Sequence, residues 1–277
     1  MLLLGRILLI RSLERWFSRD KFTNSDISPS DVVVAEHPDR LVKDIDETGV
    51  AKGLRLRSDI VSHILQFAVS TPCTSRIPPI VDFLPSEVDA RNRLRERDIP
   101  AAYYFDRISR CDEIVKLSDD PLLRSIAGKF IGSNTHHIRT RLWWNFPSSR
   151  VTDADLHASA QEKYHFDLND FRTIKFFFYL TDVDGGSGPH GYIKGSHKRR
   201  ALKHQLSVMV GHSTEELEQY YGEDLFETVV GPAGTGFAED PFIFHCGRKC
   251  RDMARLILEI EYGPYTMSKS YRYGVIG

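Results

Sequence analysis

Residues 164–183 read YHFDLNDFRTIKFFFYLTDV, and the fold turns on how this stretch is taken. Its second half, residues 172–183, is β-branched and aromatic and predicts a strand. Just ahead of it stands His165-Phe166-Asp167. In an extended segment alternate side chains share a face, so His165 and Asp167 can point the same way and offer an imidazole and a carboxylate to one divalent ion. A lone His-x-Asp is equally well a hydrogen-bonded surface pair. Working outward, residues 254–262 (ARLILEIEY) and 136–145 (HHIRTRLWWN) also read as strands, the latter stopped by Pro147. Glycine-rich turns at 185–188 and 231–236 separate such strands, and Ser213-Thr-Glu-Glu216 has the capping-box pattern of one intervening helix. A β-sandwich or barrel-like core is the architecture that follows.

The N-terminal half reads differently. Leu41, Val42 and Ile45 share a helical face before Gly49; Ser58 is placed to cap a second helix carrying Ile60, Val61, Ile64, Leu65 and Ala68. A third helix is predicted from Ser86, and a fourth after Asp120 with Pro121 at its first position. Residues 36–135 are therefore expected to form a helical layer on a core spanning 136–265, followed by a tail over 266–277. Residues 1–35 are read as an amphipathic helix to about Phe17 and a polar linker. The apolar run at the start is split by Arg6 and ended by Arg11, far short of the roughly 20 residues that cross a bilayer. Packing of its leucines on the domain or a partner subunit is the favoured role, and contact of residues 1–19 with an anionic membrane surface is the alternative.

Across 277 residues, 37 Lys+Arg against 38 Asp+Glu give a net charge of −1, which lacks the basic footprint of a general nucleic-acid binder. Four sparse cysteines, Cys73, Cys111, Cys246 and Cys250, read as free thiols of a reducing compartment, so a cytoplasmic location is expected.

Two further elements sharpen the metal reading. In Asp240-Pro-Phe-Ile-Phe-His245-Cys-Gly a histidine closes an apolar strand. Ten residues later Arg255 opens the 254–262 strand, where a guanidinium is costly unless it meets an anion such as a carboxylate gripped bidentately. Together these residues make a 2-His-1-carboxylate set plus a carboxylate anchor, which leaves positions on Fe(II) open for a co-substrate and dioxygen.

The chain resembles the phytanoyl-CoA dioxygenase family of Fe(II)/2-oxoglutarate-dependent oxygenases. The resemblance rests on ordered segments: His165-x-Asp167, the strand ending Tyr179-Leu-Thr-Asp-Val-Asp184, Gly188-Pro-His-Gly-Tyr-Ile-Lys-Gly-Ser-His197, Gly234-Thr-Gly-Phe leading through Asp240 to His245, and Arg255. It covers about residues 136–262 and is faint before them. It implies an α+β, mainly β fold, a double-stranded β-helix (jelly-roll, cupin-like) core with an N-terminal helical layer. It also implies that His165, Asp167 and His245 hold Fe(II), that Arg255 binds the distal carboxylate of 2-oxoglutarate, and that Leu142 and Trp144, as same-face residues, are candidates to line the co-substrate site, with ordinary core packing an equal alternative. Ascorbate is a candidate reductant. Gly247 falls where some members carry a serine that touches the co-substrate. His190 and Lys194 depart from the family pattern, which tolerated loop variation explains better than a substrate-facing role. His197 and its Gly-Ser-His segment are expected to tie down a turn, and 198–200 to form a solvated basic loop. An intact Asp167 favours hydroxylation over halogenation.

The implied reaction is oxidation of a C–H bond in a small molecule (lipid, sugar or specialised metabolite), with 2-oxoglutarate decarboxylated to succinate. Trp143, Trp144, Tyr164 and Phe166 are candidate aromatic walls, and Arg139, Arg141, Lys175 and Lys198 candidate anion contacts. A zinc-type hydrolase or isomerase using the same ligands gives Arg255 no task; a non-catalytic module of the same fold is the other alternative.

Overall fold

A computed structural model describes residue 7 and residues 27–159, 161–167, 172–206, 211–267 and 272–273. The expected helix to about Phe17, residue 7 apart, and most of the 266–277 tail lie outside the described residues. Strands run over Val33–Ala35 (β1), Val50–Leu56 (β2), Cys73–Ser75 (β3), Asp82–Phe83 (β4), Ala101–Tyr103 (β5), His136–Asn145 (β6), Ile174–Tyr179 (β7), His190–Ile193 (β8), Phe226–Val229 (β9), Thr235–Glu239 (β10), His245–Gly247 (β11) and Arg255–Gly263 (β12). The α-helices are Pro38–Thr48 (α1), Ser58–Ser70 (α2), Val88–Arg93 (α3), Asp112–Leu117 (α4), Pro121–Ile131 (α5), Asp153–Ala158 (α6), Leu202–Leu206 (α7) and Thr214–Tyr221 (α8).

A nine-stranded sheet with the order β1-β2-β10-β7-β12-β6-β5-β3-β4 faces a three-stranded sheet, β11-β8-β9. This is the mainly antiparallel jelly-roll core that the sequence led us to expect. The N-terminal half is richer than a helical layer: it supplies β1–β5, and the stretch read as linker contains β1. β2 is locally unremarkable (VAKGLRL) and is a strand because it pairs with β10, Ala51 opposite Ala238 and Leu54 opposite Gly236.

The core divides by residue parity. On the central strands Phe176, Phe178, Leu256, Leu258 and Ile260 join the helix-side core with Leu41, Ile45, Leu123, Ile126 and Phe130. Their neighbours Phe177, Tyr179, Phe237 and Ile257 point the other way, into the space between the sheets, with Tyr192 and Ile243. All nine residues of β12 are buried, because both faces of the large sheet are covered.

Helix signals are followed in part: Ser58 does not cap α2 but is its first residue, after Arg57, and no side chain caps that end. Asp120 accepts from the amides of Leu122 and Leu123 at 3.0 and 3.1 Å and caps α5, with Pro121 at its first position. α1 ends at Gly49, whose φ of 92° is left-handed. A Cβ there would lie 2.3 Å from Ile243 Cδ1, so glycine also lets α1 dock onto the loop leading to His245.

Candidate metal centre

Two backbone pairings assemble the centre. His165 and His245 exchange both N–H···O bonds at 2.9 Å, and the Asp167 amide donates to the Pro241 carbonyl at 2.8 Å. The segment 164–167 thus lies alongside 241–247 and brings together ligands that the sequence holds far apart. The two imidazoles have centroids 4.5 Å apart, and one donor atom from each of His165, Asp167 and His245 falls within 4.8 Å of the others.

The protonation pattern suits a cation. Nδ1 of His165 lies 3.0 Å from the Lys163 carbonyl and Nδ1 of His245 lies 3.1 Å from the Ile243 carbonyl. A carbonyl only accepts, so each Nδ1 carries the proton and each Nε2 is left bare, the tautomer a metal ligand needs. Burial alone would raise the Asp167 carboxyl, but the Lys175 ammonium bonded to it holds it well below the usual carboxylate range. Burial pushes the Cys246 thiol up to about 12, and it packs beside Tyr164 and Phe244 away from the centre. The donor set is therefore two imidazole nitrogens and a carboxylate oxygen, which fits Fe(II) with open positions.

Arg255 borders the same cavity of about 250 Å³. It is only 2% exposed, and its Nη groups donate to neutral oxygens, the Gly188 carbonyl and Asn145 Oδ1 at 2.6 Å, while Nε has no partner. Gly188 is the glycine of the Gly-Pro motif; a Cβ there would lie 2.5 Å from the Arg248 carbonyl.

Leu142 and Trp144 do not line this cavity. Both are in the helix-side core, Trp144 donating from Nε1 to Tyr104 Oη at 2.9 Å. The opposite parity of β6 faces inward: Arg139, Arg141 and Trp143. Charge turns inward there because its partner lies directly across the ladder. Arg141 is opposite Glu259 and Arg139 opposite Glu261, with Arg141 Nε donating to Glu259 at 2.9 Å and Arg139 to Glu261 at 3.0 Å. Lys175 belongs to the same inner face, 1% exposed and 3.7 Å from Glu259. The sequence carried a usable signal for this network: Arg255, Glu259 and Glu261 share one parity in an otherwise apolar strand.

Other residues separate into wall and scaffold. His190 is part of the wall: buried, with Nε2 2.6 Å from Glu239, and its ring 4.9 Å from Phe237. Burial pushes His190 down to about 3 and Glu239 up to about 7. Lys194 is remote from the cavity, half exposed and 3.5 Å from Glu227. Tyr164 packs edge-on against Phe226, and Phe166 against Phe242 and Phe244, in a separate cluster. His197 bonds the Asp46 carbonyl at 3.0 Å and Ser196 Oγ accepts from the Phe244 amide at 2.8 Å, so the Gly-Ser-His segment does tie down a turn. The basic loop 198–200 is only partly solvated. Lys198 is exposed beside Asp46, but Arg200 is buried with its guanidinium 3.9 Å from the ring centres of Phe166 and Phe242.

No family model matches the chain, and no curated protein matches it. Solved structures do share its fold. HygX from Streptomyces hygroscopicus, solved with nickel, 2-oxoglutarate and hygromycin B bound, aligns at a TM-score of 0.55 and 15% identity over 83% of this chain and 88% of its own. SnoK, a non-heme alpha ketoglutarate dependent carbocyclase from nogalamycin biosynthesis, aligns at 0.53 and 17% identity over 87% and 90%. EctD from S. alaskensis, with 2-oxoglutarate and 5-hydroxyectoine, aligns at 0.52 and 15% identity over 89% and 80%.

Proposed function

We propose that the protein is a non-haem Fe(II)/2-oxoglutarate-dependent oxygenase that hydroxylates a C–H bond of a polar small molecule. The observation that carries this reading is the convergence of bare Nε2 atoms of His165 and His245 and the ionised Asp167 on a cavity that also holds the buried cation Arg255. The neighbours support it, since HygX and EctD were solved with 2-oxoglutarate and HygX with a divalent metal. Membership of the phytanoyl-CoA dioxygenase family is part of the proposal and rests on the ordered motifs from His165 to Arg255.

Iron and 2-oxoglutarate, when bound, supply the oxidising power for C–H cleavage with dioxygen, yielding succinate and carbon dioxide. The chain supplies position and environment. His165, Asp167 and His245 hold the metal. Lys175 occupies Asp167 Oδ2, so the carboxylate offers its other oxygen inward. Arg255, kept aimed by Gly188 and Asn145, would take the distal carboxylate of the co-substrate as its missing anion. Trp143, Phe177 and Ile257 give the cavity an apolar lining that keeps water from that charge pair.

The substrate side argues for polarity. Arg139, Arg141 and Glu259 present charge to the cavity, a poor lining for an acyl chain and a good one for hydroxyl, amino or carboxylate groups. A cytoplasmic site of action belongs to the same proposal, supported by four buried free cysteines. Among the described residues no helix is long and apolar enough to cross a membrane.

The test is an anaerobic titration of the Fe(II)-loaded protein with 2-oxoglutarate, followed by a screen of polar metabolites for stimulated succinate release. The visible band of the iron–2-oxoglutarate chelate is expected in the wild type and absent in Asp167→Ala. Full metal loading with no band would overturn the reading.

A further inference from the structure

A second group of metal-type side chains lies behind the first. His204 on α7, His212 just ahead of α8 and Glu216 on α8 place one donor atom each within 4.8 Å of one another. His204 Nε2 is 3.2 Å from Glu216 Oε1 and His212 Nδ1 is 3.0 Å from Glu216 Oε2. Three ligands about 2.1 Å from a tetrahedral zinc ion stand roughly 3.4 Å apart, so closing on a cation needs only small movements.

The two rings are fixed before any cation arrives. They are 1% and 3% exposed. Phe244 meets both edge-on, at 5.7 Å from His204 and 5.3 Å from His212, and Tyr220 covers His204 at 5.5 Å. Glu216 is held at the first turn of α8, its amide donating to the Ser213 cap at 3.2 Å. Its side chain is 37% exposed, which gives a route from solvent and room for a water as fourth ligand. Hydrogen bonding to Glu216 engages one nitrogen of each ring and leaves His204 Nδ1 and His212 Nε2 buried without a partner, so neither imidazole is fully committed.

We propose that His204, His212 and Glu216 bind a second divalent cation of the zinc type, separate from the His165/Asp167/His245 centre. Its position suggests what it does. His212 exchanges backbone bonds with Tyr164, at 3.0 and 2.7 Å, one residue before His165. A cation on His212 would pin α7 and α8 to the segment that carries two of the first-centre ligands. The role is structural support, and it does not depend on the oxygenase reading.

The test uses the full chain with the first centre removed by His245→Ala, stripped with chelator and titrated with Co(II). We expect one Co(II) per chain, with the visible ligand-field absorption of a low-coordinate nitrogen/oxygen site. Adding His212→Gln or His204→Gln should weaken binding at least as much as the roughly 10–100-fold that even outer-shell partners are worth. Circular dichroism and thermal melting check that each variant folds. No Co(II) bound by a folded His245→Ala protein, or undiminished binding after His212→Gln, would overturn the proposal. If His245→Ala does not fold, metal counting on the otherwise intact chain decides. His204→Gln must then lower the zinc-loaded content by one ion per chain, from two to one, or from one to zero if the first centre holds none. An unchanged count overturns the site.

Discussion

Lys175 brings an ammonium group into the run Ile174–Tyr179, where all six residues are buried. It is bonded to Asp167 and lies 3.7 Å from Glu259, which Arg141 also holds, so Asp167 is the carboxylate that depends on this cation. Burial alone would lower the Lys175 ammonium, but Asp167 and Glu259 raise it, and it stays charged. Lys175→Met should therefore cost about 1.5–3 kcal/mol in urea unfolding, because it strands the partly buried Asp167 charge. It should also weaken Mn(II) binding at the first centre, since Asp167 loses the partner that fixes its second oxygen. Lys175→Arg should recover more stability than metal affinity. A residue away from the centre contributes to the acid side of stability, beside the more deeply shifted His190. Burial pushes His137 down from 6.5 to about 4, with Nε2 bonded to Thr140 at 2.7 Å. The folded state thus prefers neutral imidazole, while the unfolded chain takes up a proton once pH drops below about 6.5. This contribution is complete above about 6.5, declines as pH falls, and is lost by about 4, a change of about 3 kcal/mol at most. Denaturation midpoints across that window should fall less steeply in His137→Gln than in the wild type.

At the scale of the element, β6 shows what local sequence leaves undecided. Leu142 and Trp144 pack in the helix-side core, while Trp143 stacks on Tyr103 at 5.8 Å along the cavity wall. Leu142→Ala should lose about 2–5 kcal/mol of stability in chemical denaturation. It should leave the 2-oxoglutarate affinity of the folded iron protein unchanged. Trp143→Ala should do the reverse, weakening co-substrate or substrate binding more than it lowers the midpoint. That His165, Asp167, His245 and Arg255 meet at one cavity was legible, because a metal-ligand reading restricts residue type and order. The inward face of β6 was not. Both faces of the strand are covered, so hydrophobicity does not choose between them, and the deciding partners, Glu259 and Glu261, stand more than a hundred residues away. β2 was hidden for a similar reason: its seven residues form a strand through pairing with β10, about 180 residues on. The cap of α5, by contrast, needs only Asp120 and the two amides that follow, and local sequence sufficed.

At the scale of the whole molecule, the end of α1 and the first centre are one mechanical unit. The Gly49 carbonyl accepts from the Asp240 amide at 2.9 Å, the Thr48 carbonyl from the Gly195 amide at 2.7 Å, and the Asp46 carbonyl bonds His197. A side chain at Gly49 would meet Ile243, whose own carbonyl orients His245. Gly49→Ala should thus lower both stability and Mn(II) affinity. Gly53→Ala is the control: its φ of 103° carries comparable backbone strain, yet its Cβ would meet nothing closer than 3.7 Å. It should cost about 1–3 kcal/mol and spare metal affinity. A thermal-shift series with and without Mn(II) separates the two.

The division of labour between the sheets has a consequence for co-substrate choice. His245 belongs to the small sheet and Arg255 to the large one, and facing sheets stand roughly 10 Å apart. A molecule held by both ends is being measured against that gap. On the proposed function, the fold acts as a length gauge: a five-carbon 2-oxo diacid bridges metal and guanidinium. Oxaloacetate, one carbon shorter, leaves one end unheld, and a six-carbon homologue must buckle.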